Sequence, residues 1–78
     1  MKWIEVVFKK GHTFLINVNE IVNVSTLASH KEIVIFSTDG TTLELKFESI
    51  QEAKIQYDLI KTYINYGPVP GGLTIESE

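Results

Sequence analysis

Cysteine and arginine are both absent from this chain of 78 residues, and its two prolines fall together at Pro68 and Pro70. Without thiols there is no disulfide staple and no thiolate metal site, and an intracellular origin fits best. All seven basic residues are lysines, spread from Lys2 to Lys61, against ten acidic residues and a formal net charge of −3. Arginine is the usual source of bidentate phosphate and guanine contacts, so an acidic chain lacking it is poorly suited to nucleic acid. A nucleic-acid module would have to rely on Lys9, Lys10 and Lys31, and the Lys9-Lys10 doublet beside Gly11 reads as a solvated hairpin tip. No apolar run approaches the roughly 18–20 residues that cross a bilayer, and Glu5 brings charge too early for a secretory signal. The expectation is a complete, cytoplasmic chain with no membrane association.

Catalytic and ligand-binding patterns are equally sparse. His12 and His30 both fall in expected turns, with no carboxylate at a telling spacing, and a nucleophile needs a nearby base. Asp39 is accounted for by a turn, and Glu5, Glu44 and Glu48 by strand faces open to water. Gly67, Gly71 and Gly72 lack the strand-to-helix context of a phosphate-cradling loop, and no zinc or calcium spacing occurs. The expectation is a protein that is not an enzyme and carries no metal or cofactor.

What the chain does contain is alternation followed by one helical segment. Lys2 to Phe8 is rich in β-branched and aromatic residues and stops at the turn Lys9-Lys10-Gly11-His12. Thr13 to Val18 continues with Phe14, Ile16 and Val18 on one face. Asn17 to Glu20 should bend the chain into a third strand from Ile21 to Leu27. Glu32 to Phe47 reads as a hairpin around Asp39-Gly40, expected as a two-residue type I′ turn. That turn sets Thr38 opposite Thr41, Phe36 beside Leu43 and Val34 beside Leu45.

Ser49-Ile50-Gln51-Glu52 matches a capping box, so a helix should begin there, end near Asn65, and be stopped by Gly67-Pro68. The predicted fold is α+β: an antiparallel meander of about five strands, as a curved sheet or a partly open small barrel, followed by one C-terminal helix. Residues 1–66 would form this single domain and residues 67–78 a Pro/Gly-rich flexible tail, in which Leu73-Thr74-Ile75 offers a short strand.

The helix carries more apolar surface than one docking face requires. Ile50, Ala53, Tyr57, Ile60 and Ile64 form a stripe expected to sit on the sheet, while Ile55, Leu59, Tyr63 and Tyr66 fall on a neighbouring arc. Together they span roughly 220° of the wheel, against the roughly 100° a surface helix needs. Either the sheet and tail of the same chain cover that surplus, or a second protein does. In the expected hairpin register Ile33 and Ile35 face away from Phe36 and Leu43 and add a strip on the sheet. The predicted interface is therefore Ile55, Leu59, Tyr63, Tyr66, Ile33 and Ile35, used by a homo-oligomer, with a dimer favoured, or by another protein. A small-molecule site at a helix–sheet or subunit seam, lined by Phe14, Phe36, Tyr57 and Tyr63, is the alternative.

Phe14-Leu15-Ile16-Asn17, Ile21-Val22-Asn23-Val24, Asp39-Gly40 and Phe47-Glu48-Ser49 with Glu52 follow a recognisable order of turn and cap signals over about residues 12–52. The pattern resembles that of the short FlbD-type flagellar-operon proteins. The resemblance implies a small intracellular accessory or regulatory protein without a known catalytic motif, so it assigns no functional residue. The Pro-Gly tail departs from that pattern, and small phage and mobile-element accessory proteins share the same build.

Overall fold

A computed structural model of the chain describes residues 3–26, 31–66 and 72–78. Six strands and one helix follow in order: β1 (Trp3–Phe8), β2 (Thr13–Asn17), β3 (Ile21–Thr26), β4 (Glu32–Ser37), β5 (Thr42–Lys46), α1 (Ile50–Tyr66) and β6 (Leu73–Ser77). A short 3-10 turn, Val18–Glu20, joins β2 to β3, with the Asn17 side chain accepting from the Asn19 N–H at 3.0 Å. The strands form two three-stranded sheets, β2-β1-β6 and β3-β4-β5, which do not close into a barrel. The α+β class and the helix agree with the sequence. The single five-stranded meander does not, because β2 and β3 do not pair and a sixth strand, β6, joins β1.

β6 runs parallel to β1, pairing Ile4 with Leu73, Val6 with Ile75 and Phe8 with Ser77. Ile75 and Ser77 are buried, so residues 73–77 are a structural strand and not the flexible tail expected. Residues 67–71, the rest of that tail, lie outside the described residues. The buried Ser77 hydroxyl accepts from the Lys46 N–H at 2.9 Å and donates to the Lys46 carbonyl at 3.2 Å, while the Glu78 N–H donates to that same carbonyl at 2.8 Å. β6 thereby ties β1 of one sheet to the end of β5 in the other.

The β1–β2 and β4–β5 hairpins use the same loop, while residues 27–30 of the β3–β4 connection lie outside the described residues. In the first, the Gly11 N–H donates to Phe8 O at 2.9 Å and the Phe8 N–H to His12 O at 2.8 Å. In the second, the Gly40 N–H donates to Ser37 O and the Ser37 N–H to Thr41 O, both at 3.0 Å. Gly11 and Gly40 sit at φ of +98° and +86°, and among the described residues only glycines take positive φ. Each loop is thus three residues long, a β-turn closed by a left-handed glycine. Asp39 keeps a negative φ, and its carboxylate instead accepts from the Thr41 N–H at 2.9 Å and the Thr41 hydroxyl at 2.6 Å.

The extra loop residue shifts the β4–β5 register by one from the two-residue expectation. Ile33 pairs with Leu45, Ile35 with Leu43 and Phe36 with Thr42. A one-residue slip exchanges the faces of a strand. Ile33 and Ile35, expected on an outer strip, are therefore fully buried, and Phe36 points outward. They join Ile4, Val6, Leu45, Phe47, Ala53, Ile60, Tyr63 and Ile75 in one core.

Candidate interaction surface

The helix that carries the surface begins at the expected cap. Ser49 Oγ accepts from the Glu52 N–H at 3.0 Å, while the Glu52 carboxylate accepts from Gln56 Nε2 at 3.1 Å, so Glu52 supports the next turn of the helix. From this start Ala53 and Ile60 point into the core, with Tyr57 and Ile64 half-buried against it. Ile50, the first member of that stripe, is exposed at the end of the helix. Tyr63 takes a core place instead. It is buried, and its hydroxyl donates to the Trp3 carbonyl at 2.9 Å, which satisfies the one polar atom that burial would penalise.

Of the six predicted interface residues, the structure leaves three outside. Ile55 is 48% exposed, Leu59 46% and Tyr66 85%. Their spacing, with Thr62 between Leu59 and Tyr66, is 4-3-4, so at 3.6 residues per turn they line one stripe. That stripe is rotated by roughly 130° from the centre of the buried face, at about 100° per residue. Ile33, Ile35 and Tyr63 belong to the interior and do not share a surface with it.

Within one chain the four residues of the expected seam pocket do not come together. Phe36 lies on the outer face of β4 and Tyr63 is enclosed, while Phe14 stands at the free edge of β2, where its ring meets Phe8 edge-on with centroids 5.6 Å apart. Tyr57 lines a shallow groove of about 210 Å³ between β3 and α1, together with Val24, Ile60 and Ile64. A larger cleft of about 560 Å³ opens near the start of α1, walled by Phe8, Phe47, Ser49 and Glu52. Its rim holds a small ion-pair network, with Lys9 Nζ lying 3.1 Å from Glu48 and 2.8 Å from Glu78.

Those two pairings define the electrostatics of the rim. Hydrogen bonds to Glu78 and then to Glu48 raise the Lys9 pKa above its ordinary 10.5. Lys9 is thus already engaged by carboxylates, and a nucleic-acid contact would have to displace them. Hydrogen bonds from the Thr41 hydroxyl and N–H lower the Asp39 pKa below its ordinary 3.8. His12 is exposed in its turn, and His30 lies outside the described residues. Among the described residues no group of three or more His, Asp or Glu side chains is placed to hold a metal, and no helix is long and apolar enough to cross a membrane.

Sequence reasoning overlooked the surface on β2. Phe14 is 46% exposed and Leu15 65%, on opposite faces of a strand that, among the described residues, has a bonded strand on one side only. The available signal was the run Gly11 to Asn19, nine residues without a Lys, Asp or Glu. Comparison with known proteins finds no matching family, no matching curated protein and no matching solved structure.

Proposed function

We propose that this chain is a small protein-interaction or self-assembling module, a non-enzymatic accessory protein of bacterial or phage type working in the cytoplasm, which binds through the outer stripe of α1. The observation that carries this reading is the exposed Ile55-Leu59-Tyr66 line on a helix whose other face is already committed to the core. Regularly spaced apolar residues of this kind fit a facing helix or groove, and a second copy offers the same stripe across a two-fold axis. The resemblance to FlbD-type proteins supports the accessory role without adding residues to it.

Light scattering on the wild type and on Leu59→Asp tests the reading. Leu59 is half-exposed, so the substituted carboxylate stays hydrated on a single chain and is stranded only inside a contact. The expected result is a fall of about twofold in solution mass with unchanged circular dichroism, as one two-fold contact is lost. An unchanged mass, or loss of the fold in Leu59→Asp, sinks it.

A further inference from the structure

The free edge of β2 is the second feature that the fold leaves open. Sheet one ends at β2, and sheet two ends at β3 on one side. The β3 edge is blunted: its register breaks between Ile21 and Asn23, leaving Val22 as an extra, bulged residue. At the other ends of the sheets, β5 and β6 are tied together through Ser77, Glu78 and Lys46. Among the described residues, the Thr13–Leu15 part of β2 has none of these protections. Thr13-Phe14-Leu15-Ile16-Asn17 contains no charge and no proline, and its pairing with β1 is unbroken.

The orientation of its backbone follows from the first hairpin. The Phe8 N–H donates to His12 O, so Phe8 and His12 form a bonded pair. Bonded and non-bonded pairs alternate along an antiparallel ladder, which makes Val6/Phe14 and Ile4/Ile16 the next bonded pairs. Thr13 and Leu15 therefore turn their N–H and C=O groups away from β1, toward the open edge.

We propose that this edge pairs antiparallel with β2 of a second copy of the same chain. Thr13 of each copy then stands opposite Leu15 of the other, and their outward backbone groups are exchanged in two bonded pairs. Phe14 meets its own counterpart across the two-fold axis at a non-bonded position, where facing side chains approach most closely. That contact covers a ring now 46% exposed.

Charge selects the second copy and the direction of pairing. Lys10 lies beyond one end of the strand and Glu20, in the 3-10 turn with its carboxylate accepting from the Thr38 hydroxyl, beyond the other, with no charged residue from Gly11 to Asn19. Antiparallel self-pairing brings the Lys10 end of one copy to the Glu20 end of the other. Parallel pairing would align like charges instead. An edge of five residues buries less than a standard interface of about 1,600 Å², so the contact is a weak one that fills at high concentration.

Because the edge lies on another element, it is tested in the Leu59→Asp background, with the helix contact removed. At about 0.5 mM, where a contact with a dissociation constant of about 0.1 mM places roughly three quarters of chains in dimers, sedimentation should show a dimer. Amide exchange by NMR should show Thr13 and Leu15 protected at that concentration and unprotected on dilution. Leu15→Pro removes only the outward N–H, which an edge strand tolerates, and Leu15→Lys sets a charge on an exposed site next to its symmetry mate. Each should return the chain to monomer; if Leu15→Pro fails to fold, Leu15→Lys decides. A monomeric Leu59→Asp chain with unprotected amides overturns the proposal, even if it captures a strand from a different protein. So does a dimer that survives Leu15→Lys. Failure here leaves the helix reading standing, because that reading is judged by the response of the wild-type mass to Leu59→Asp alone.

Discussion

Ile35 and Phe36 are adjacent in sequence, and the three-residue loop decides which of them supports the core. Ile35 is fully buried and pairs with Leu43, while Phe36 is 37% exposed and pairs with Thr42. Truncating a buried isoleucine to alanine costs about 3 kcal/mol, within a usual range of about 2–5. A domain of this size has about 4–12 kcal/mol to lose, at about 0.05–0.15 per residue. Ile35→Ala should therefore remove a large share of the stability and lower Tm by roughly 12–24 °C, at about 4–8 °C per kcal/mol. Phe36→Ala gives up one side of a half-covered ring and cross-strand contacts, about 1 kcal/mol. In the two-residue turn the roles would reverse, and Phe36→Ala would cost about 3–5 kcal/mol. Urea denaturation of both variants, with midpoints compared at equal m-value, measures the difference. A Phe36→Ala cost equal to or above that of Ile35→Ala refutes the register and the placement of Ile33 with it.

Two further expectations follow from individual bonds. Tyr63→Phe keeps the ring in the core but leaves the Trp3 carbonyl without its donor, and should cost about 1–2 kcal/mol in urea unfolding. A loss near zero there would mean the hydroxyl is solvated and Tyr63 faces outward after all. Asp39 titrates below its ordinary 3.8 because Thr41 donates to the ionised carboxylate, so its support of the β4–β5 hairpin is complete above the unfolded pKa. That support is lost as pH falls through the lowered folded pKa; carboxyl NMR should place the Asp39 midpoint below 3.8, and Asp39→Ala should flatten the acid limb of stability. A midpoint at or above 3.8 contradicts the Thr41 bonds.

The elements that were legible in the sequence are those specified by short-range chemistry. The turn at Gly11 and the Ser49 cap appear where the residues place them, and Ala53, Tyr57, Ile60 and Ile64 pack against the sheet. The hairpin at Asp39-Gly40 was visible, but its register was not. Either register sets apolar residues opposite Leu43 and Leu45: Phe36 and Val34 in one, Ile35 and Ile33 in the other. Hydrophobic pairing alone could not separate them. The separation comes from the loop, where Asp39 has a cheaper option than left-handed geometry: it keeps negative φ and caps Thr41 with its carboxylate. Interface residues Ile33 and Ile35 were lost to that single backbone choice. Tyr63 was lost for a different reason, since a helical wheel locates a side chain but not the carbonyl of Trp3 that receives its hydroxyl.

β6 shows the limit of local reading most clearly. Its partner β1 lies at the other end of the chain and runs parallel to it, so no turn residue announces the pairing. Composition pointed the other way, because Pro68, Pro70 and three glycines precede it. Yet the alternation Leu73-Thr74-Ile75-Glu76-Ser77 sends Ile75 and Ser77 inward, where Ile75 meets the core and Ser77 bonds Lys46. The strand also changes what the remaining surface means. With β6 on one side of β1, β2 and β6 are the edge strands of that sheet, and β6 is tied to the other sheet through Lys46. Among the described residues the exposed apolar surface of the two proposed contacts falls on the helix and on β2 rather than on the helix and the Ile33-Ile35 strip. Ile55, Leu59 and Tyr66 form one, and Phe14 and Leu15 the other. Were both proposed contacts to form, the chain would extend beyond a pair of subunits, because each two-fold contact leaves the other surface free. The stoichiometry of such an assembly would then be set by whether both contacts are filled at once.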